Sequence, residues 1–293
     1  MSAKADDQFV FIKNPVVFES LSTWYTSAAF DSNSGKVVIA YQRHTSPNMG
    51  AAIVGTVSGS SISFGSAVVF DVSDTDYQAA TFDSSNNKII IAYRDSGNSD
   101  YGTAIVATVS GSSISFGSPT VFQSSTVEYI AITYDSTNNK AVIAYRDDDD
   151  PSDAGKVVEG TVSGTSITFS SPTVFNSDQV TYISPAFDST RGKVNIAFRD
   201  FEGSAYRGIV VDYNCANLST TLTASNFVGI AKESATNGQN IKINIPGAVS
   251  GAHIGLTTAQ TYYVQGDGTL GLSPDTISVV AGTSISSTQI LLR

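Results

Sequence analysis

Residues 82–95 read FDSSNNKIIIAYRD, and the phrase recurs along the chain. It is FDSNSGKVVIAYQR at 30–43, YDSTNNKAVIAYRD at 134–147 and FDSTRGKVNIAFRD at 187–200. The steps between copies are 52, 52 and 53 residues. A second phrase keeps the same period: TVSGSSISFGS at 56–66, identically at 108–118, and TVSGTSITFSS at 161–171. A fixed period of this length marks a repeat architecture, in which each unit buries its faces against its neighbours.

Working outward from the phrase, each unit divides into four strand-like runs. In the first unit these are TWYTSAAF (23–30), KVVIAYQR (36–43), AAIVGTV (51–57) and ISFGSAVVF (62–70). They are rich in β-branched and aromatic residues, and Asp, Ser, Asn and Gly bound them. Asp31, Asp83, Asp135 and Asp188 open the first turn of each unit and read as turn formers, because an Asp side chain bonds backbone two residues on. Runs such as VVIAY are apolar on both faces, and no 3.6-residue period is sustained, so the chain reads as all-β with almost no helix. Four strands per unit at this period predict a four-bladed β-propeller over residues 8–214, after an N-terminal tail at 1–7. The fourth unit lacks its own ISFGSPTVF-like strand, and FVFIKNPVVF (9–18) supplies one from the other end of the chain. The N-terminal strand is therefore expected to complete the fourth blade and close the ring, since an open ring leaves two unpaired edges. A ring shared between chains has the same repeat pattern.

Composition narrows the function. Of 293 residues, 41% are hydrophobic and 14% charged, with a net charge of −10. That balance argues against a nucleic-acid footprint and against attachment to an anionic membrane. There is no apolar run of about 18 residues, so no membrane insertion is expected. Cys215 is the only cysteine, which leaves no intramolecular disulfide and no thiol zinc spacing. The opening MSAKADDQFVF lacks the basic and apolar regions of a secretory signal, so synthesis in a host cytoplasm without a signal peptide is expected. Residues 217–293 leave the repeat. They hold three basic and three acidic residues, and the remaining 13 basic and 23 acidic residues precede them. They read as a separate small β module with strands in NFVGIAKES (226–234), NIKINIPGAV (240–249), QTYYVQ (260–265) and TQILLR (288–293), and a tight turn at Gly266-Asp267-Gly268. A module this small is expected to serve attachment or homo-oligomerisation.

The stretches NFVGIA, GLTTAQTYYVQGDGTLG and VVAGTSISSTQILLR resemble a β module found at the carboxyl end of structural proteins of marine bacteriophages. The motifs GTVSGSSISFGS and FDSxxxKVVIAYRD likewise resemble repeats in marine viral proteins. The resemblance implies a virion-associated protein, such as a tail fibre, spike or capsid decoration, with other virion proteins as partners. It brings no enzymatic motif and no cofactor.

On propeller geometry, the short, constant turns lie at one face. The connections between strands two and three (44–50, 95–102, 147–155, 200–208) and the blade junctions (19–25, 71–77, 123–129, 176–182) lie at the other and vary. Variable loops on a rigid scaffold commonly carry binding. This rim holds Tyr25, Tyr77, Tyr129 and Tyr182 at the start of each first strand. Arg43, Arg94, Arg146 and Arg199 end the second strands, three of them followed by Asp95, Asp147 and Asp200. Aromatic faces beside planar donors suit a sugar, so a host-surface glycan is the expected ligand. Because the Arg-Asp pairs repeat with the blades, packing and Arg–Asp bridging is the stronger reading for them. The unrepeated Trp24, His44, Tyr101 and Tyr206 are sharper ligand candidates. Asp147, Asp148, Asp149, Asp150 and Asp153 offer hard oxygens for Ca²⁺, but the EF-hand pattern is absent and the other units lack the run, so a solvated acidic loop is expected and no metal site. The two histidines, His44 and His253, fall in different domains, and no Ser-His-Asp set or HExxH is present. A non-catalytic protein is expected. A purely structural decoration protein is the alternative, and a glycan-cleaving pair of carboxylates the minor one.

Overall fold

The computed structural model describes residues 15–59, 61–202, 205–215, 230–231, 243–244, 249–250, 256–264, 270–273 and 280–292. The expected tail at 1–7, residues 8–14 of the expected closing strand, and the expected turn at 266–268 lie outside the described residues. Two compact units divide the chain, Met1–Cys215 and Ala216–Arg293.

The first unit is built from strands. Repeat one holds β1 (Thr23–Asp31), β2 (Lys36–Arg43), β3 (Met49–Ser58) and β4 (Ser61–Phe64). Repeat two continues with β5 (Val68–Asp83), β6 (Lys88–Asp95), β7 (Tyr101–Ser110) and β8 (Ser113–Phe116). Repeat three has β9 (Thr120–Asp135), β10 (Lys140–Asp147), β11 (Ala154–Ser163) and β12 (Ser166–Phe169). Repeat four has β13 (Thr173–Asp188), β14 (Lys193–Glu202) and β15 (Ala205–Tyr213). All pair antiparallel along one path, β1-β2-β3-β5-β6-β7-β9-β10-β11-β13-β14-β15, with β4, β8 and β12 attached to β3, β7 and β11.

Two sequence expectations change here. First, residues 71–77, 123–129 and 176–182 are strand rather than junction loops. Each of the 16-residue strands β5, β9 and β13 starts in one repeat and ends in the next. In β5, Val69 pairs with Ala51 of β3, and Ala79 pairs with Ala92 of β6. Second, the fourth strand is split. β4 pairs with the end of β3 (Val57↔Ile62), and the start of β5 pairs with the beginning of β3. Gly65 sits at the break because the next repeat crowds it: a Cβ there would lie 1.9 Å from the Ser112 carbonyl oxygen.

Local chemistry explains the turns. Asp31 Oδ1 accepts from the amides of Asn33 and Ser34 at 2.9 and 3.0 Å, and Asp83, Asp135 and Asp188 repeat the pattern. The turn closes through a left-handed residue, Gly35, Asn87, Asn139 or Gly192, at φ between 53° and 66°. Gly and Asn tolerate that region best. The lysine that follows reaches across to a threonine, as Lys36–Thr56, Lys88–Thr108 and Lys140–Thr161. Asp135 is fully buried and also accepts from Asn138 Nδ2 at 2.7 Å. D135A is expected to cost about 2 kcal/mol, read as a lower urea midpoint with an unchanged slope. An unshifted midpoint would contradict this role.

Apolar clusters fill the spaces between successive repeats. Val38, Ala40 and Val54 of repeat one meet Ile89, Ile91 and Tyr93 of repeat two. Ala92 and Ala104 meet Ile143 and Tyr145, and Val142 and Ala144 meet Ile196 and Phe198. A phenylalanine lies over a glycine in each seam: Phe70 over Gly50, Phe122 over Gly102 and Phe175 over Gly155, with a hypothetical Cβ only 2.4–2.5 Å from the ring. Repeat four differs. Among the described residues nothing lies within 4 Å of the Cβ position of Gly208, the counterpart of those glycines. Ala197 is exposed, whereas its counterparts Ala40, Ala92 and Ala144 are fully buried. Val210 is 61% exposed, whereas Ala52, Ala104 and Val157 are fully buried. Among the described residues no strand pairs with the free side of β15, and no closed propeller ring is seen.

Cys215 is buried in the cluster of repeats three and four. Burial, then Asp135 and Glu159, push its thiol well above the usual range. A thiol reagent at mildly alkaline pH is expected to label it only on unfolding, because the thiolate is the reactive form. Rapid labelling of the native protein would contradict this burial.

In the second unit, β16 (Ile230–Ala231) pairs with β17 (Ile243–Asn244). The strands β18 (Val249–Ser250), β19 (Thr261–Val264), β20 (Leu270–Gly271), β21 (Val280–Ser284) and β22 (Ile290–Leu292) form a sheet in the order β18-β22-β21-β19-β20. Leu256, Tyr262, Ala281 and Ile290 form its core. β21 was not expected from sequence: its residues Val280-Ala-Gly-Thr-Ser284 carry little of the β-branched and aromatic signal.

Candidate functional site

The first strand of every repeat carries a bulge at one place. Tyr25 and Thr26 together face Tyr41, Tyr77 and Gln78 face Tyr93, Tyr129 and Ile130 face Tyr145, and Tyr182 and Ile183 face Phe198. Two residues against one defines a β-bulge, which re-aims side chains. All four tyrosines are left-handed, at φ of 48°, 54°, 51° and 54°. A bulky residue held there carries backbone strain of about 1–3 kcal/mol, and such strain concentrates at functional positions.

The bulges bring the four rings together. Tyr25 and Tyr77 have centroids 5.0 Å apart, Tyr77 and Tyr129 5.7 Å, and Tyr129 and Tyr182 5.6 Å. One cavity of about 220 Å³ is lined by these tyrosines with Thr26, Gln78, Ile130 and Ile183, so each repeat supplies the same two positions. Burial, then Asp76, raises the Tyr25 phenol, and burial, then Glu128, raises that of Tyr77. Both hydroxyls therefore remain protonated donors at neutral pH. Sequence reasoning found the tyrosines but missed their neighbours Gln78 and Ile130, whose only signal is their place directly after each recurring tyrosine.

Guanidinium groups back this row of tyrosines. Arg94 lies 5.1 Å from the Tyr77 centroid, Arg146 5.1 Å from Tyr129, and Arg199 4.6 Å from Tyr182. Arg94 pairs with Asp76, Asp100 and Glu128, and Arg146 with Glu128 and Asp148, so Glu128 links repeats two and three. The arginines thus pair with residues other than the Asp that follows each in sequence. Asp147 bonds Lys156, Gln123 and Ser125, and Asp200 bonds Asn176 and Arg207. Burial, then the neighbouring Asp71, raises the Asp95 carboxyl.

Arg43 does not share the place of the other arginines. The aligned phrases put Gln42 opposite Arg94, Arg146 and Arg199, and Arg43 opposite the aspartates. Gln42 donates to the Thr75 carbonyl and to Asp76. Arg43 instead pairs with Glu19, which also accepts from Tyr41. Burial pushes the Glu19 carboxyl up, but donation by the Leu21 amide, Arg43 and Tyr41 outweighs it and leaves it below the usual value.

The unrepeated candidates are scattered around this centre. Trp24 is 52% exposed and stacks on His44 at 4.7 Å. Tyr206 is 62% exposed and packs on Phe201 and Arg199. Tyr101 starts β7 and is half-buried. In the acidic loop each carboxylate has its own protein partner: Asp148 meets Arg146, Asp149 the Thr126 amide, Asp150 Lys156, and Asp153 Gln179. Among the described residues no three His, Cys, Asp or Glu side chains converge on a metal position. No protein-family model matches this chain, and no curated protein matches it.

Proposed function

We propose that this chain is a non-catalytic, virion-associated bacteriophage protein that binds a host-surface glycan at its tyrosine ring. The observation that carries the reading is the set of four strained tyrosines turned into one cavity by four repeats. Blade packing alone does not call for a left-handed tyrosine, whereas a recognition surface uses ring faces and phenol donors. The second unit is proposed to attach the protein to other virion proteins or to a second copy. Purified full-length protein on a glycan array and on candidate host cells tests the reading. Saturable binding without release of cleaved sugar supports it. Cleavage would make the protein an enzyme, and no binding by folded protein would favour a structural decoration role.

This reading includes a four-bladed ring closed by the N-terminal segment. Phe18 packs on Tyr41 at 5.2 Å, as Phe70 packs on Tyr93 and Phe122 on Tyr145 at the same distance. Glu19 accepts from Tyr41, as Asp71 does from Tyr93. Residues 16–19 thus sit on repeat one as the end of a preceding repeat would, and Gly208 is the seam glycine without a phenylalanine. Closure seats Phe18 over Gly208 and covers Ala197 and Val210.

A further inference from the structure

The residue before each ring tyrosine differs from repeat to repeat: Trp24, Asp76, Glu128 and Thr181. In repeats two and three this position supplies a carboxylate to the arginine beside it. Asp76 pairs with Arg94, and Glu128 pairs with Arg146. In repeat four Thr181 replaces the acid, and Arg199 Nε donates to its hydroxyl at 2.8 Å. Among the described residues no carboxylate pairs with Arg199. Its guanidinium lies instead against two exposed rings, Tyr182 at 4.6 Å and Tyr206 at 4.4 Å.

From this asymmetry we infer that Arg199, Tyr182 and Tyr206 form a subsite for a carboxylate-bearing sugar, of the uronic or sialic acid type. A guanidinium offers five N–H donors in a planar fork that matches a carboxylate. One donor is committed to Thr181, and the phenol rings supply the apolar faces a pyranose stacks on. The acidic excess of the protein does not oppose this. The dense carboxylates belong to repeat three, where each has a protein partner, and in repeat four Asp200 is held by Arg207 and Asn176.

The inference rests on the glycan-binding reading, and one experiment separates the two. Full-length protein is titrated with matched oligosaccharides that differ only in a carboxylate or its reduced alcohol, for example oligogalacturonate and its carboxyl-reduced form. The acidic member is expected to bind roughly tenfold tighter or more. T181D restores the acid present in repeats two and three, and is expected to abolish that preference while binding of the neutral member persists. T181N, which adds no charge, should keep the preference. Equal binding of both members, or a preference unchanged in T181D, overturns the subsite and leaves the glycan reading standing. Binding of neither member overturns the subsite, and absence of binding across the glycan array and host cells as well overturns the glycan reading.

Discussion

Alanine at Gly102 is expected to destabilise the protein by about 3 kcal/mol, or roughly 6–12 °C in the unfolding midpoint. The new Cβ would stand 2.4 Å from the ring of Phe122. That ring cannot retreat freely, since it is buried and packs on Tyr145 and Phe169 at 5.2 and 5.8 Å. G155A meets Phe175 in the same way. Gly208 is the informative fourth position. Its surroundings are open, and its φ is not in the left-handed region, so an open ring makes G208A neutral. A closed ring with Phe18 seated there makes G208A as costly as G102A. Thermal scans of the three variants give the answer. A harmless G102A would refute the seam packing itself.

The second large effect concerns binding. Y77G/Y129G is expected to weaken saccharide binding roughly 30-fold, taking each lost ring as about 1 kcal/mol. The same change removes two left-handed aromatics, so the strain relieved offsets part of the packing lost, and folding stability should stay within about 1 kcal/mol of the parent. Loss of binding with stability retained is the signature of a site held in strain. Equal losses of both would assign the tyrosines to structure. Y77F/Y129F keeps the rings and removes the hydroxyls, and so separates stacking from hydrogen bonding.

The parts of the fold set by local chemistry were legible in the sequence. An Asp followed by Gly or Asn fixes a turn within five residues, and the aspartates do accept the amides expected of them. The continuity of β5, β9 and β13 was not legible. DVSDTDY and NSDQVTY have loop composition, yet they are held in strand by pairing with the neighbouring repeat. The bulge at the tyrosines was hidden for a related reason: tyrosine is a good strand residue, and only its opposition of two residues to one reveals the twist. Matching arginines by type hid the role of Gln42, whereas matching the repeated phrase position by position reveals it. The same alignment exposes the Trp24, Asp76, Glu128 and Thr181 series, whose two acids pair with the arginine of their own repeat.

The central claim is that four repeats of one chain close around the tyrosine ring, and the repeats provide their own ruler. In a closed ring Val17 and Thr190 would correspond to Val174 and Thr137 of repeat three, and all four residues are exposed. Spin labels on each pair, with Cys215 replaced by alanine, give two distance distributions in the full-length protein. A closed chain predicts the same mean and width for both, unchanged on dilution with unlabelled protein. A longer or broader 17–190 distance would contradict closure, and a short one lost on dilution would assign the closing strand to a second copy.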